Sequence, residues 1–351
     1  MTIVFGLIVL VLLGGRVFGY GRALQIALIG IILAAVLAIQ LTLPQGHGLR
    51  EATGGSVAVW VIVLAIAAIV GLYVLGLNRL RKAAARRADT ANPPQPDTMS
   101  PQELERYARH IVLREIGGPG QMKLRNARVL LVGAGGLGSP ALLYLAAAGV
   151  GTIGVVDDDT VSLSNLQRQV LHSDADIGKP KVFSAQHALR ALNPNVKILP
   201  YNRRLDADTA SDLIGDFDLV LDGSDNFATR YLVNATCVAL GVPLVSAAIS
   251  QWEGQISLYH PTTGGPCYAC VFPEIPAEGL APSCAEAGVM GALPGVLGSM
   301  MAVEAIKWLS GAGQPLQGQM LIFDALFSEN RKVTLARSET CAVCGVKHQA
   351  E

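Results

Sequence analysis

The chain has 351 residues, a formal net charge of zero and 51% hydrophobic residues; at roughly 100–200 residues per domain, that length predicts two or more folded units. The neutral total is uneven: residues 1–100 carry eight Lys or Arg and three acids, leaving 19 basic and 24 acidic side chains in the rest. The later part has no basic surface of nucleic-acid type, which excludes that partner, while the first part has the composition of a membrane segment.

Apolar stretches come first, at 2–15, 23–43 and 57–77. The second and third have 21 residues each, against about 20 for a bilayer-crossing helix. The first is shorter and spans only with little tilt. A cleavable signal is a poor fit, because residues 1–5 carry no basic n-region. Arg16 and Arg22 lie between the first two stretches, and Arg79, Arg81, Lys82, Arg86 and Arg87 follow the third. Positive-inside bias then places everything after residue 77 in the cytoplasm. The expectation is an all-α transmembrane segment over 1–82, multi-pass in the inner (cytoplasmic) membrane.

Residues 83–100, AAARRADTANPPQPDTMS, are too small, polar and proline-rich to bury a core and predict a tether. A helix start follows: Ser100 at the N-cap, Pro101 at N1 and Glu103 at N3 spell a capping box. The last unit is expected to run from 101 to 351.

From Ala127 the pattern is strand (RVLLVG), glycine loop (GGLG), helix (ALLYLAAAGVG) and strand (TIGVVD). Gly133, Gly135 and Gly138 match G-x-G-x-x-G, whose glycines permit a tight strand-to-helix turn and close approach of a phosphate. Asp157 stands 19 positions after Gly138, where such folds place an acid on ribose hydroxyls. NAD and ATP fit this loop equally well. A further strand ends in LDGSDN, so Asp157 and Asp225 are expected to meet in one crevice at the carboxyl ends of the strands.

Two C-x-x-C pairs, Cys267 with Cys270 and Cys341 with Cys344, suit a tetrahedral thiolate site for Zn²⁺. A cytoplasmic location argues against stable disulfides. The site is expected to pin the C-terminal tail and to serve folding.

These residues together carry a family likeness. RYARHIVLREIGGPGQMKL, VGAGGLGSPALLYLAAAGVG, DDDTVSLSNLQRQ, GKPKV, LDGSDNFATRYLVN, GPCYAC, CAEAGVMGALPGV and CAVCG make residues 101–351 resemble the ThiF/MoeB/HesA adenylyltransferases, relatives of the ubiquitin-activating enzymes. The likeness is nearest to the molybdopterin-synthase branch. It implies an α/β, Rossmann-like nucleotide-binding fold with a mixed sheet and a four-cysteine zinc site.

The resemblance also implies a reaction: ATP-dependent adenylation of the C-terminal Gly-Gly carboxylate of a ubiquitin-like sulfur-carrier protein. That carrier is MoaD-like for molybdenum-cofactor biosynthesis, or ThiS-like for thiamine; an NAD-dependent oxidoreductase and a non-catalytic membrane scaffold are the weaker alternatives. A tail carboxylate, with a pKa of about 3.3–3.7, is ionised at neutral pH and needs no general base. The obstacle is repulsion between two anions, which calls for cations and positioning. By the resemblance, Gly136 and its loop approach the nucleotide and Asp157 takes the ribose. Ser164, Asn165 and Arg168 of SNLQR, with Lys181, contact the triphosphate, and Leu166 and Gln167 of the same run belong to the nucleotide-binding set. Asp225 holds Mg²⁺ with Asn226 beside it, and Arg109 serves the partner site of a homodimer. Cys284 of the crossover loop is a candidate for covalent sulfur chemistry. Sulfur is expected from a separate donor.

Overall fold

In the computed structural model, the described residues are 22–54, 56–63, 98–275 and 287–345, with scattered positions and short runs elsewhere in the first 79. The chain divides into two compact units, 1–97 and 98–351.

In the first unit, helix α1 (Arg22–Thr42) is followed by a one-turn helix, Gly48–Ala52. The Gln40 amide donates to the Arg50 carbonyl and to Thr53 Oγ1, both at 2.9 Å, and Trp60 Nε1 donates to the Thr53 carbonyl. Val4, Val36 and Trp60 bury one another.

The expected multi-pass segment and its inner-membrane localisation are corrected here. Among the described residues no helix is long and apolar enough to cross a membrane. In α1, the apolar run between Gln25 and Gln40 has 14 residues, about 21 Å at roughly 1.5 Å per residue, against about 30 Å of hydrocarbon. Hydropathy counted the apolar residues but not the polar ones that close the run. The stretches 2–15 and 57–77 lie partly outside the described residues, and most of the tether 83–100 lies outside them.

The second unit opens with the expected capping box. Ser100 Oγ accepts from the Glu103 amide while the Glu103 carboxylate accepts from the Ser100 amide, starting α2 (Pro101–Arg106). Glu103 is buried and pairs with the Arg125 guanidinium at 2.9 Å, fastening α2 to α3 (Gly117–Asn126). The helix stops at Arg106. Tyr107 turns inward and a separate turn, Ala108–Ile111, follows.

Eight strands form one sheet. In chain order they are β1 (Arg128–Val132), β2 (Thr152–Asp157), β3 (Lys197–Asn202), β4 (Leu219–Asp222), β5 (Leu244–Ile249), β6 (Glu253–Tyr259), β7 (Gln319–Asp324) and β8 (Glu329–Thr334). Their spatial order is 3-2-1-4-5-6-7-8. The first five pair in parallel and the last three antiparallel, a mixed sheet.

Alternation along β1 explains the layers. Val129 and Leu131 face one core with α4 (Gly138–Ala147), α5 (Lys181–Leu192) and α8 (Leu293–Ser310). Leu130 and Val132 face the other with α6 (Ala207–Ile214) and α7 (Phe227–Leu240). The order reverses at β1, whose neighbours β2 and β4 leave in opposite directions. That switch point opens a crevice at the strand carboxyl ends.

Candidate active site

Two glycines build the turn after β1. Gly133 has φ of 91°, and a Cβ there would sit 3.1 Å from the Gly223 carbonyl oxygen. On Gly138 a Cβ would sit 2.0 Å from the Gly133 oxygen, an impossible contact. The same turn is held from both sides. Asp157 Oδ2 accepts from the Ala134 amide and Oδ1 from the Asp159 amide, each at 2.8 Å. Burial pushes the Asp157 carboxyl above its ordinary range, opposed by the Lys181 ammonium and these two amides. The Ala134 carbonyl meets His172 Nε2 at 3.0 Å, and His172 Nδ1 meets Ser184 Oγ at 2.9 Å. The carbonyl can only accept, so the ring proton sits on Nε2. Burial lowers the His172 pKa and keeps the ring neutral.

Cations come from two elements. Lys181 opens α5 with its side chain only 5% exposed and its ammonium 2.7 Å from Asp159 Oδ2, a carboxylate that is 69% exposed. Arg168 follows the 3-10 turn Leu163–Asn165 and donates to the Ser164 carbonyl (3.2 Å) and to Asn165 Oδ1 (3.1 Å). At the end of β4, Asp222 is 1% exposed and accepts from the Ser224 amide and hydroxyl. Its other oxygen lies 3.6 Å from the buried Arg230 guanidinium. Asn226 caps α7 by accepting from the Thr229 amide, and Asp225 beside it is exposed.

These groups surround a cavity of about 940 Å³ at the carboxyl ends of the parallel strands. Among the expected residues, Gly133, Gly135, Gly136, Asp157, Arg168, Lys181, Asp225 and Asn226 line it, so Asp157 and Asp225 do share one crevice. Gly138, Ser164, Asn165, Leu166 and Gln167 are not among the lining residues; Ser164 and Asn165 hold the Arg168 head instead. Arg109 is exposed on the turn Ala108–Ile111 and is not part of the wall. Cys284 lies outside the described residues.

Sequence reasoning missed Asp159, His172, Arg203, Arg204 and Arg230. Arg230 carried a signal: a lone charge inside the otherwise uncharged FATRYLVN helix. His172 carried none, since its partners are a backbone carbonyl and a hydroxyl distant in sequence.

The four cysteines converge beside Tyr231, Asn234 and Val238 of α7. Their Sγ atoms all lie within 4.8 Å of one another, with Cys267–Cys341 at 3.6 Å, Cys270–Cys344 at 3.3 Å and Cys267–Cys270 at 3.9 Å. Thiolates about 2.3 Å from a tetrahedral Zn²⁺ stand about 3.8 Å apart, so the donor set fits that ion. The spacing is far beyond the roughly 2.05 Å of a disulfide.

The ThiF family profile matches residues 107–343. The sulfur carrier protein adenylyltransferase of Thermus thermophilus is 52% identical over 248 residues, spanning 70% of this chain and 92% of that protein. The SAMP-activating enzyme E1 of Haloferax volcanii is 48% identical over 243 residues, 69% of this chain and 89% of that one. Among solved structures, Escherichia coli MccB with MccA-N7isoASN matches with a TM-score of 0.61 at 25% identity, covering 68% of this chain and 74% of that one.

Proposed function

Since the chain belongs to the ThiF family and is a sulfur carrier protein adenylyltransferase, we propose that its substrate is the C-terminal Gly-Gly carboxylate of a MoaD-like carrier serving molybdenum-cofactor biosynthesis. One tail oxygen attacks the α-phosphorus of ATP, the bond to the bridging oxygen breaks, and pyrophosphate leaves with that electron pair. The product is an acyl-adenylate.

The observation that carries this reading is the placing of Lys181 and Arg168 on the wall of one cavity with Asp157 and Asp225. The Lys181 ammonium exchanges its exposed partner, Asp159, for phosphate oxygens. Arg168 swings from its two local acceptors to the same charge. Asp157 has oxygen lone pairs beyond the two amides it holds, and these accept from the ribose hydroxyls. The Asp225 carboxylate suits Mg²⁺, an ion held by one or two carboxylates together with substrate phosphates. Held there, the ion would supply positive charge to the phosphates. In a homodimer, Arg109 would complete the partner's cavity, which accounts for its position outside its own. Sulfur enters after adenylation, from a separate donor.

Exchange of radiolabelled pyrophosphate into ATP tests the proposal. It requires the protein, Mg²⁺ and a carrier ending in Gly-Gly, and stops when the carrier's last glycine is removed. Exchange that is indifferent to carrier, or exchange seen with a ThiS-like carrier and not a MoaD-like one, would refute the substrate assignment.

A further inference from the structure

Helix α7 touches both the cavity and the cysteine cluster. At its first turns, Arg230 is buried; its guanidinium donates to Ser246 Oγ at 3.1 Å and to the Ser224 carbonyl, and it faces Asp222. Four residues on, one turn along the same face, Asn234 is 1% exposed. Its Nδ2 donates to Cys267 Sγ at 3.7 Å, and its Oδ1 accepts from the Tyr268 amide at 2.9 Å. Between them, Tyr231 donates its hydroxyl to the Phe272 carbonyl at 2.7 Å. The turn carrying the first C-x-x-C is thus gripped by α7 at both ends. Its Tyr268 and Phe272 rings, 4.8 Å apart, line the cavity together with Arg230.

We propose that Asn234 is a positioning residue that joins the four-thiolate site to the nucleotide cavity. Its N–H is a donor aimed at a sulfur that becomes a thiolate when zinc binds, so it stabilises the charged ligand and fixes its direction. Its oxygen holds the adjacent amide, so the same side chain sets where Tyr268 stands in the cavity wall. Zinc occupancy and nucleotide affinity are therefore coupled through one amide. The thiolate half stands by itself; the cavity half rests on the nucleotide reading above.

The test uses full-length protein and Asn234→Asp, which keeps the acceptor for Tyr268 and turns the donor toward Cys267 into an acceptor. Three quantities are read: zinc release to a colorimetric chelator, the thiolate-to-metal band of the Co²⁺-substituted protein, and affinity for a fluorescent non-hydrolysable ATP analogue without carrier. The expected result is zinc affinity down about 10–100-fold, a shifted cobalt band, and analogue affinity down by about five-fold or more. Unchanged zinc release and an unchanged cobalt band in the folded variant overturn the proposal. Should Asn234→Asp not fold, Asn234→Ser, which is too short to bridge both partners, gives the same readouts. In the wild-type protein, stripping zinc must also weaken the analogue; full analogue affinity after stripping overturns the coupling. If the analogue fails to bind even the zinc-loaded wild type, the nucleotide reading falls, and zinc release with the cobalt band still decides the thiolate half.

Discussion

The Lys181 ammonium lies buried, 2.7 Å from the carboxylate of Asp159, while that carboxylate is itself largely in solvent. The asymmetry sets what the pair can do. Asp159 keeps its hydration whether or not it is paired, so it is a replaceable partner for a cation kept at the cavity wall. Lys181→Gln keeps most of the stem; Asp159 stays hydrated, and Asp157 keeps the Ala134 and Asp159 amides as donors. Pyrophosphate exchange is expected to fall about 10²–10³-fold, the usual cost of one preorganised charge-stabilising group, with the melting temperature nearly unchanged. A variant that loses stability in proportion to activity would assign Lys181 a structural role.

Asp225→Asn tests the metal assignment. Removing one charged oxygen from an exposed cavity position costs the fold little and should abolish exchange. Titration with Mg²⁺ checks it: activity restored by excess Mg²⁺ marks weakened metal binding, whereas full activity at ordinary Mg²⁺ would remove Asp225 from the metal site.

The two-glycine turn predicts a sharp contrast. Gly138→Ala places a methyl 2.0 Å from the Gly133 oxygen, and the main chain has to move; a loss of more than about 4 kcal/mol is expected, with nucleotide binding gone. Gly178→Ala meets nothing within 4 Å but sits at φ of 86°, so only left-handed strain of about 1–2 kcal/mol applies. Denaturant melts of the two variants check the ordering.

His172 gives a pH dependence with a definite sign. Burial lowers its folded pKa, so below the unfolded value of about 6.5 the unfolded chain binds the extra proton and the native state does not. Stability therefore rises with pH through the window below about 6.5 and is lost as the solution is acidified. His172→Gln, which can still donate to the Ala134 carbonyl and accept from Ser184, should flatten that part of the slope. An unaltered slope in urea melts between about pH 5 and 6.5 would show that another group carries it.

Much of the second unit was legible in the chain, and the reasons are local. Ser100, Pro101 and Glu103 specify their capping box within one turn. The β1–α4–β2 unit shows itself through a switch from strand to helix spacing around a glycine loop. The cysteines declare a tetrahedral set by spacing alone. What stayed hidden depends on contacts between residues far apart in sequence. His172 serves the glycine loop 38 positions away, and Asn234 reaches Cys267 across 33. Neither residue type announces such a role. In the first unit hydropathy misled, because Gln40 reads as a tolerable interruption until its amide is seen bonded to Arg50 and Thr53.

The account stands on anion neutralisation at the cavity wall, and the most direct measurement of it is mass spectrometry of carrier incubated with the protein and Mg·ATP. The expected result is a carrier bearing AMP on its terminal glycine, formed by the wild type and missing with Lys181→Gln or Asp225→Asn. Carrier recovered unmodified under every condition, or modified equally by all three proteins, would contradict it.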